Sequence, residues 1–384
     1  MLGDQPHQGK WRRASARHPC PICGKQDWCS LSSNGFIAIC RRVELGAFKS
    51  EVDRSGVPVY IHRLAAGPPT NHEPSPKQSS SHTERANPDT LHQVYNALLA
   101  HLFLSKSHRA DLQRRGLPDD AIDCNKYKTL PMQGRARIAR KLHDVFGTFV
   151  LRVPGVVVKG DQGNGYVTIA GSAGLIIPCR DLHGRVIALK IRRDNASSGA
   201  KYVYLSSVHC GGPGPGSPVH VPLGISSAMD TVRLTEGELK ADISMLLSGL
   251  PTISAPGALG WRASLPILNE LRTRIVRLAF DADAGANPSL AKALMACADA
   301  LLRDGFAIEL EHWNMADGKG IDDLLAAGKM PELFRGDAAL LAVRAFTEAA
   351  RAIKAITPAD SKLYDETTRR KGHSMIRFSV TLEI

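Results

Sequence analysis

Hydrophobic positions follow two regimes along this 384-residue chain. From residue 231 onward, apolar runs at 231–235, 251–254, 275–280 and 306–313 alternate with segments of helical spacing at 238–248, about 264–273 and 287–303. That alternation predicts a largely parallel sheet covered by helices. Upstream the pattern is mixed. Leu91, Val94, Tyr95, Leu98, Leu99 and Leu102 recur at helical spacing, and residues 107–116 read as a second helix stopped by Gly116. Strand-like runs follow at 149–153, 166–170, 174–179 and 185–192, with Asp181-Leu-His-Gly184 as a hairpin turn between the last two. This part predicts an α+β unit. Residues 337–356 read as an Ala-rich amphipathic helix, and one reading of 375–383 is a strand. The tail receives no chemistry.

Punctuation between these regimes predicts a multidomain chain, since roughly 100–200 residues make a domain with its own core. The divisions fall at 1–64, a small module; 65–90, whose Pro, Ser and Gly content reads as a flexible linker; 91–225, the α+β unit; 226–336, the α/β unit; and 337–384. A Gly/Pro-rich connector, 211–218, leads into the α/β unit. No apolar stretch approaches the roughly 20 residues that span a bilayer, and the first residues lack a signal-peptide core, so a cytoplasmic protein without a membrane partner is expected. There is no Gly-x-x-x-x-Gly-Lys-Ser/Thr phosphate loop, which argues against an ATP-driven motor.

Net charge is +12 and its distribution is uneven: roughly +5 over 1–64, +9 over 65–225, −4 over 226–336 and +2 beyond. Basic flanks around an acidic centre suit a polyanion held by Arg and Lys beside a cation held by carboxylates. A solvated basic surface is the plainer alternative.

Four of the eight cysteines, Cys20, Cys23, Cys29 and Cys40, lie within about twenty residues. The two-residue gap in Cys20-Pro-Ile-Cys23-Gly24 lets both thiolates face one tetrahedral ion. Asn34-Gly35 favours a two-residue hairpin turn, and pairing outward from it sets Ser33 opposite Phe36 and Cys29 opposite Cys40. A four-cysteine Zn²⁺ site is the expectation, with His62 or His18 in place of Cys29 as the alternative. A buried Cys29 without metal is the bland reading. So small a module has little apolar material, and metal would supply the missing stability.

The acids carry the other candidate chemistry. Glu236 ends the run 231–235, and Asp281-Ala-Asp283 follows the run 275–280. Carboxyl ends of neighbouring strands in an open α/β sheet converge on one crevice, so these carboxylates can share a site. Hard cations such as Mg²⁺ suit an open rim of carboxylates and phosphate oxygens. The bland reading makes Glu236 and Glu238 a charged first helical turn and Asp281 a cap.

Thr235-Glu236-Gly237-Glu238 with Asp281-Ala-Asp283 resembles the Toprim catalytic domain of bacterial-type primases and topoisomerases. Gly318-Lys-Gly-Ile-Asp-Asp323 resembles the Gly-Lys-Asp-x-Asp region of primases with an altered order, which leaves the third acidic position open between Asp322 and Asp323. Cys20-Pro-Ile-Cys-Gly24 resembles the zinc ribbon that opens phage and bacterial primases. Arg114-Arg-Gly-Leu-Pro118, Leu175 to Gly184, Ala188 to Arg193 and Lys201 to Ser206 are similar to their polymerase core. The wording is closest to primase-like proteins of phages and mobile elements.

The resemblance covers about residues 18–335. It implies a zinc ribbon, an α+β primase core and a Toprim sheet, with Glu236 as metal ligand or general acid/base, Asp281 and Asp283 on Mg²⁺ or Mn²⁺, and Asp322 or Asp323 completing the shell. It further implies a DNA primase, a DNA-directed nucleotidyltransferase building short primers from nucleoside triphosphates on single-stranded DNA, with a separate replicative helicase as a further partner. Lys190, Arg192, Arg193 and Lys240 are its candidate nucleic-acid or nucleotide contacts, of which Lys190 and Arg192 share one strand face and Arg193 takes the other. A Toprim nuclease and a non-catalytic nucleic-acid-binding replication or regulatory protein are the alternatives. His101 and His143 read as structural or exposed.

Overall fold

A computed structural model describes residues 11–64 with breaks at 33–34, 36, 45–46, 48 and 53–57, together with 84–160, 164–195, 200–225 and 227–356. Most of the expected linker and the reading of 375–383 lie outside the described residues.

The first unit is an antiparallel sheet ordered Trp11–Arg13, Ser30–Ser32, Ile37–Cys40, Pro58–Arg63, Lys49–Val52. Among the described residues its buried cluster is Ala14, Cys20, Cys29 and Cys40, with Ile22, Cys23, Leu31 and Val43 packed against it. The next unit begins at the helix Pro88–Ala100, where Asn87 caps Thr90 N–H at 2.9 Å and proline opens the first turn. That helix lays Leu91, Val94, Tyr95, Leu98 and Leu99 against an antiparallel sheet ordered Tyr202–Tyr204, Val186–Arg193, Gly174–Arg180, Lys128–Leu130. Strand Gly174–Arg180 is buried along its whole length because the helix Glu238–Ser248 covers its other face, through Leu239 and Ile243 against Leu175 and Ile177.

The third sheet is ordered Thr252–Ala255, Thr231–Glu236, Ile275–Leu278, Ala307–His312, Glu332–Arg335; the first four strands are parallel and the last is antiparallel. Its apolar face buries Val232, Leu234, Val276, Leu278, Ile308 and Leu310 under the helices Pro288–Arg303 and Gly336–Ile356. Burying each such side chain contributes roughly 1.5–3 kcal/mol. The opposite face carries charge: Arg233, at 1% exposure, donates to both Glu311 oxygens at 2.8 Å, and Arg277 and Arg335 flank Glu309. Order in the sheet reverses between Thr231–Glu236 and Ile275–Leu278. A crevice therefore opens at the carboxyl ends of these two strands.

The fold is thus mixed α/β, with a cysteine-bearing antiparallel module and a parallel-sheet unit, as the alternation predicts. One strand reading fails: Phe149 to Val153 lies largely in the 3-10 turn Gly147–Arg152. Gly147, at φ +60°, ends the helix Arg135–Phe146, and Val150 and Val153 fold back into the core before a strand can form. Among the described residues no helix is long and apolar enough to cross a membrane.

Candidate metal centre and acidic crevice

In the first module, Ser30 pairs with Ile39 and Leu31 with Ala38. Continuing that register sets Cys29 across from Cys40, and their sulfurs lie 4.0 Å apart. The pairing deduced from an Asn-Gly turn is therefore present, although Ser33, Asn34 and Phe36 are outside the described residues. Cys23 Sγ is 3.7 Å from Cys29 Sγ, and ligand atoms of all four cysteines fall within 4.8 Å of one another. Among the described residues no other group of three or more His, Cys, Asp or Glu is gathered so tightly.

His62 is buried elsewhere, its Nε2 2.9 Å from Val43 O, and His18 pairs with Ser15. Burial pushes the Cys29 thiol up to about 12. Burial also opposes ionisation of Cys23, but the Lys25 backbone N–H and the neighbouring thiols hold it at about 7. Arg42 lies over the cluster, 3.7 Å from Cys29 Sγ and 3.9 Å from Cys23 Sγ, anchored by Asp27 at 2.8 Å. Four sulfurs with a cation beside them form a donor set that suggests zinc, since each bound thiolate adds negative charge.

At the sheet's switch point, Glu236, Glu238, Asp281 and Asp283 line one cavity of about 510 Å³. Glycine at 237, with φ +91°, turns the chain from strand into helix so that Glu238 opens the first helical turn. Glu236 is largely buried and accepts Ala258 N–H at 2.9 Å. Burial, above all, raises its proton affinity; Asp281 and Asp283 add to this, while Lys240 and the Ala258 N–H oppose it. Asp283 Oδ1 is buried and has no hydrogen-bond partner.

Four cations line the same cavity: Arg115, Lys190, Lys240 and Lys319. Lys240 is ion-paired with Asp281. Lys319 Nζ lies 3.3 Å from Asp283 and 3.7 Å from Asp281, and Asp283 chiefly holds its ammonium group charged to higher pH than usual. Lys190 Nζ donates to Glu238 Oε2 at 2.7 Å and sits 4.6 Å from the Tyr204 ring centre, while Tyr204 O–H donates to Glu238 Oε1 at 2.7 Å.

Other expected site residues lie elsewhere. Arg192 shares the face of Lys190, as alternation requires, but is paired with Asp111 at 2.5 Å. Arg193 donates to Ala200 O at 3.2 Å. Asp322 is buried behind the cavity, 2.6 Å from Arg115 Nη2, and Asp323 is exposed with its carboxylate accepting Gly320 N–H at 3.3 Å. The structure thus brings Glu236, Asp281, Asp283, Lys190 and Lys240 together and leaves Asp322, Arg192 and Arg193 off the cavity wall. Arg115, Glu238 and Lys319 line it without having been assigned a role from sequence. The motifs Arg114-Arg-Gly-Leu-Pro118 and Gly318-Lys-Gly were the available signal.

Fold and site define a mixed α/β protein with a four-cysteine module and a parallel-sheet unit carrying acids at adjacent strand ends. Residues 226–330, which hold four of that sheet's five strands, match the family model described as Domain of unknown function (DUF3854). Comparison with curated proteins gives no match. Among solved structures, the chain is similar to zinc-binding and RNA polymerase domains of primases. For the Aquifex aeolicus primase the identity is 14%, covering 74% of this chain and 67% of that one, with a TM-score of 0.49. For the RNA polymerase domain of Mycobacterium tuberculosis primase DnaG it is 18%, covering 73% and 97%, with a TM-score of 0.49. A DnaG primase catalytic domain bound to ssDNA gives 17% identity, 73% and 88% coverage, and a TM-score of 0.47.

Proposed function

We propose that the chain is a primase-like nucleotidyltransferase that joins nucleoside triphosphates on single-stranded DNA, with the acidic crevice as its reaction site. The carrying observation is that Glu236, Asp281 and Asp283, from the ends of two adjacent strands, line one cavity beside four cations. The motif resemblance to Toprim primases supports the same reading. In this reading the division of the chain at about 64, 90, 225 and 336 separates template engagement, linker, polymerase core, catalytic sheet and tail.

The residues fit a divalent ion: the donors are hard carboxylate oxygens, and the buried Asp283 Oδ1 lacks a partner. Asp281 and Asp283 would hold Mg²⁺ or Mn²⁺, with Glu236 adjacent. When bound, such an ion neutralises charge on a transferring phosphoryl group and eases deprotonation of an attacking hydroxyl. Glu236, with its raised proton affinity, is suited to take that proton. Lys240 and Lys319 offer ammonium groups to phosphate oxygens, and Arg115, oriented by Asp322, offers a planar pair of donors. Lys190 stays with Glu238 and Tyr204 and positions the cavity wall. Zn²⁺ in the cysteine module would fix the hairpin that presents its basic surface to template.

The test is incubation with single-stranded DNA, ribonucleotides and Mg²⁺ or Mn²⁺, with oligonucleotide products resolved by size. Short products that vanish in an Asp281→Ala, Asp283→Ala double variant are expected. Equal synthesis by that variant removes the crevice as the reaction site. Cleavage of labelled DNA without triphosphates would indicate a nuclease, and salt-sensitive binding without turnover a non-catalytic protein.

A further inference from the structure

Acids and cations are interleaved along the crevice wall. Four carboxylates, Glu236, Glu238, Asp281 and Asp283, meet the four cations Arg115, Lys190, Lys240 and Lys319. Two of these lysines lie directly on the expected metal ligands: Lys240 on Asp281, and Lys319 between Asp281 and Asp283. The Lys240–Asp281 pair is well shielded, with side-chain exposures of 16% and 15%. Attraction between its members is therefore only partly screened by water.

A second observation concerns Gly320. Its φ of −100° and ψ of 160° are open to any L-residue, so backbone conformation does not demand glycine. Space does. A Cβ there would stand 2.8 Å from Lys240 Cε and 3.3 Å from its Nζ, and would also press on the Asp322 carboxylate. The bare backbone at 320 leaves room for the Lys240 ammonium beside Asp281. A side chain at 320 would therefore move the Lys240 ammonium.

Resting on the proposed nucleotidyl-transfer reading, we infer that Lys240, with Lys319 beside it, is a built-in cation of the crevice that competes with free divalent metal, so that the ion is taken up together with a nucleoside triphosphate. A lone dication must displace an ammonium from Asp281 and gains little where Asp281 and Asp283 already carry lysine partners. A triphosphate carrying its own dication remains net negative. Its phosphate oxygens give the displaced Lys240 and Lys319 new partners, so nothing is left buried and unpaired.

The test measures Mn²⁺ binding by electron paramagnetic resonance and calorimetry on the full chain, with and without a non-hydrolysable nucleoside triphosphate. Wild type is compared with Lys240→Ala, Lys319→Ala and Gly320→Ala. Free Mn²⁺ should bind Lys240→Ala about tenfold more tightly than wild type, with a smaller gain in the other two. With the triphosphate analogue, wild type should tighten and the gap should close. Gly320→Ala retains the lysine and moves it, and Lys319 is an exposed side chain, so either variant serves if Lys240→Ala does not fold. Equal or weaker binding of free Mn²⁺ by the variants overturns the inference while leaving the metal site standing. Absence of Mn²⁺ binding in every protein, with and without nucleotide, removes both the inference and the site reading.

Discussion

Replacing Asp322 by Asn distinguishes a structural acid from a metal ligand. Asp322 Oδ2 lies 2.6 Å from Arg115 Nη2, with side-chain exposures of 2% and 24%. The pair joins the helix Ile321–Ala326 of the parallel-sheet unit to the end of the helix Lys106–Arg114, 207 positions away in sequence. Neutralising one member of a fully buried pair costs roughly 3–5 kcal/mol; because Arg115 keeps some contact with water, about 2–3 kcal/mol is expected here. Urea unfolding followed by tryptophan fluorescence should show a lowered midpoint with an unchanged slope. In the same variant, Mn²⁺ affinity in the presence of a triphosphate should fall only through a misplaced Arg115, and it should recover when excess nucleotide saturates the site. An unchanged unfolding midpoint combined with a lost Mn²⁺ signal would refute this, and would make Asp322 a direct ligand.

Three further outcomes are expected. Because Glu236 binds its proton more tightly folded than its ordinary value of 4.5, wild-type stability should fall as pH rises above that value. Metal-free Glu236→Gln should therefore melt higher than wild type at neutral pH and equally below it, and a gap independent of pH contradicts this. Glu311→Ala strands the Arg233 guanidinium inside the sheet and should cost about 3–5 kcal/mol, whereas Arg233→Met with Glu311→Leu should recover most of that loss; a double variant as unstable as the single one in urea would count against the buried-pair argument. Elemental analysis should find one zinc per chain in wild type and in His62→Ala but markedly less in Cys29→Ser, and zinc retention by Cys29→Ser returns the fourth ligand to a histidine.

Local chemistry explains why parts of the molecule were legible as sequence. A two-residue turn sets hairpin register, so Asn34-Gly35 was enough to pair Cys29 with Cys40, and the structure gathers those two sulfurs with Cys20 and Cys23. Apolar runs of period two and helices of period 3.6 survive averaging over ten or more residues, so the parallel sheet and the helix Glu238–Ser248 appear where the pattern puts them. The helix Ile321–Ala326 and the antiparallel edge strand Glu332–Arg335 are too short to display a period, and neither was anticipated.

Sequence alone placed Glu236, Asp281 and Asp283 after two apolar runs, where they can share a crevice; the pairing of those two strands in the structure sets all three on one cavity. Only the tertiary structure decided the partner of each charge: Lys190 with Glu238, Arg192 with Asp111, Arg115 with Asp322, Lys240 with Asp281. Periodicity reports the face on which a side chain lies, whereas an ion pair depends on where two distant elements cross to within about 3 Å, and that distance is set by the packing of the whole core.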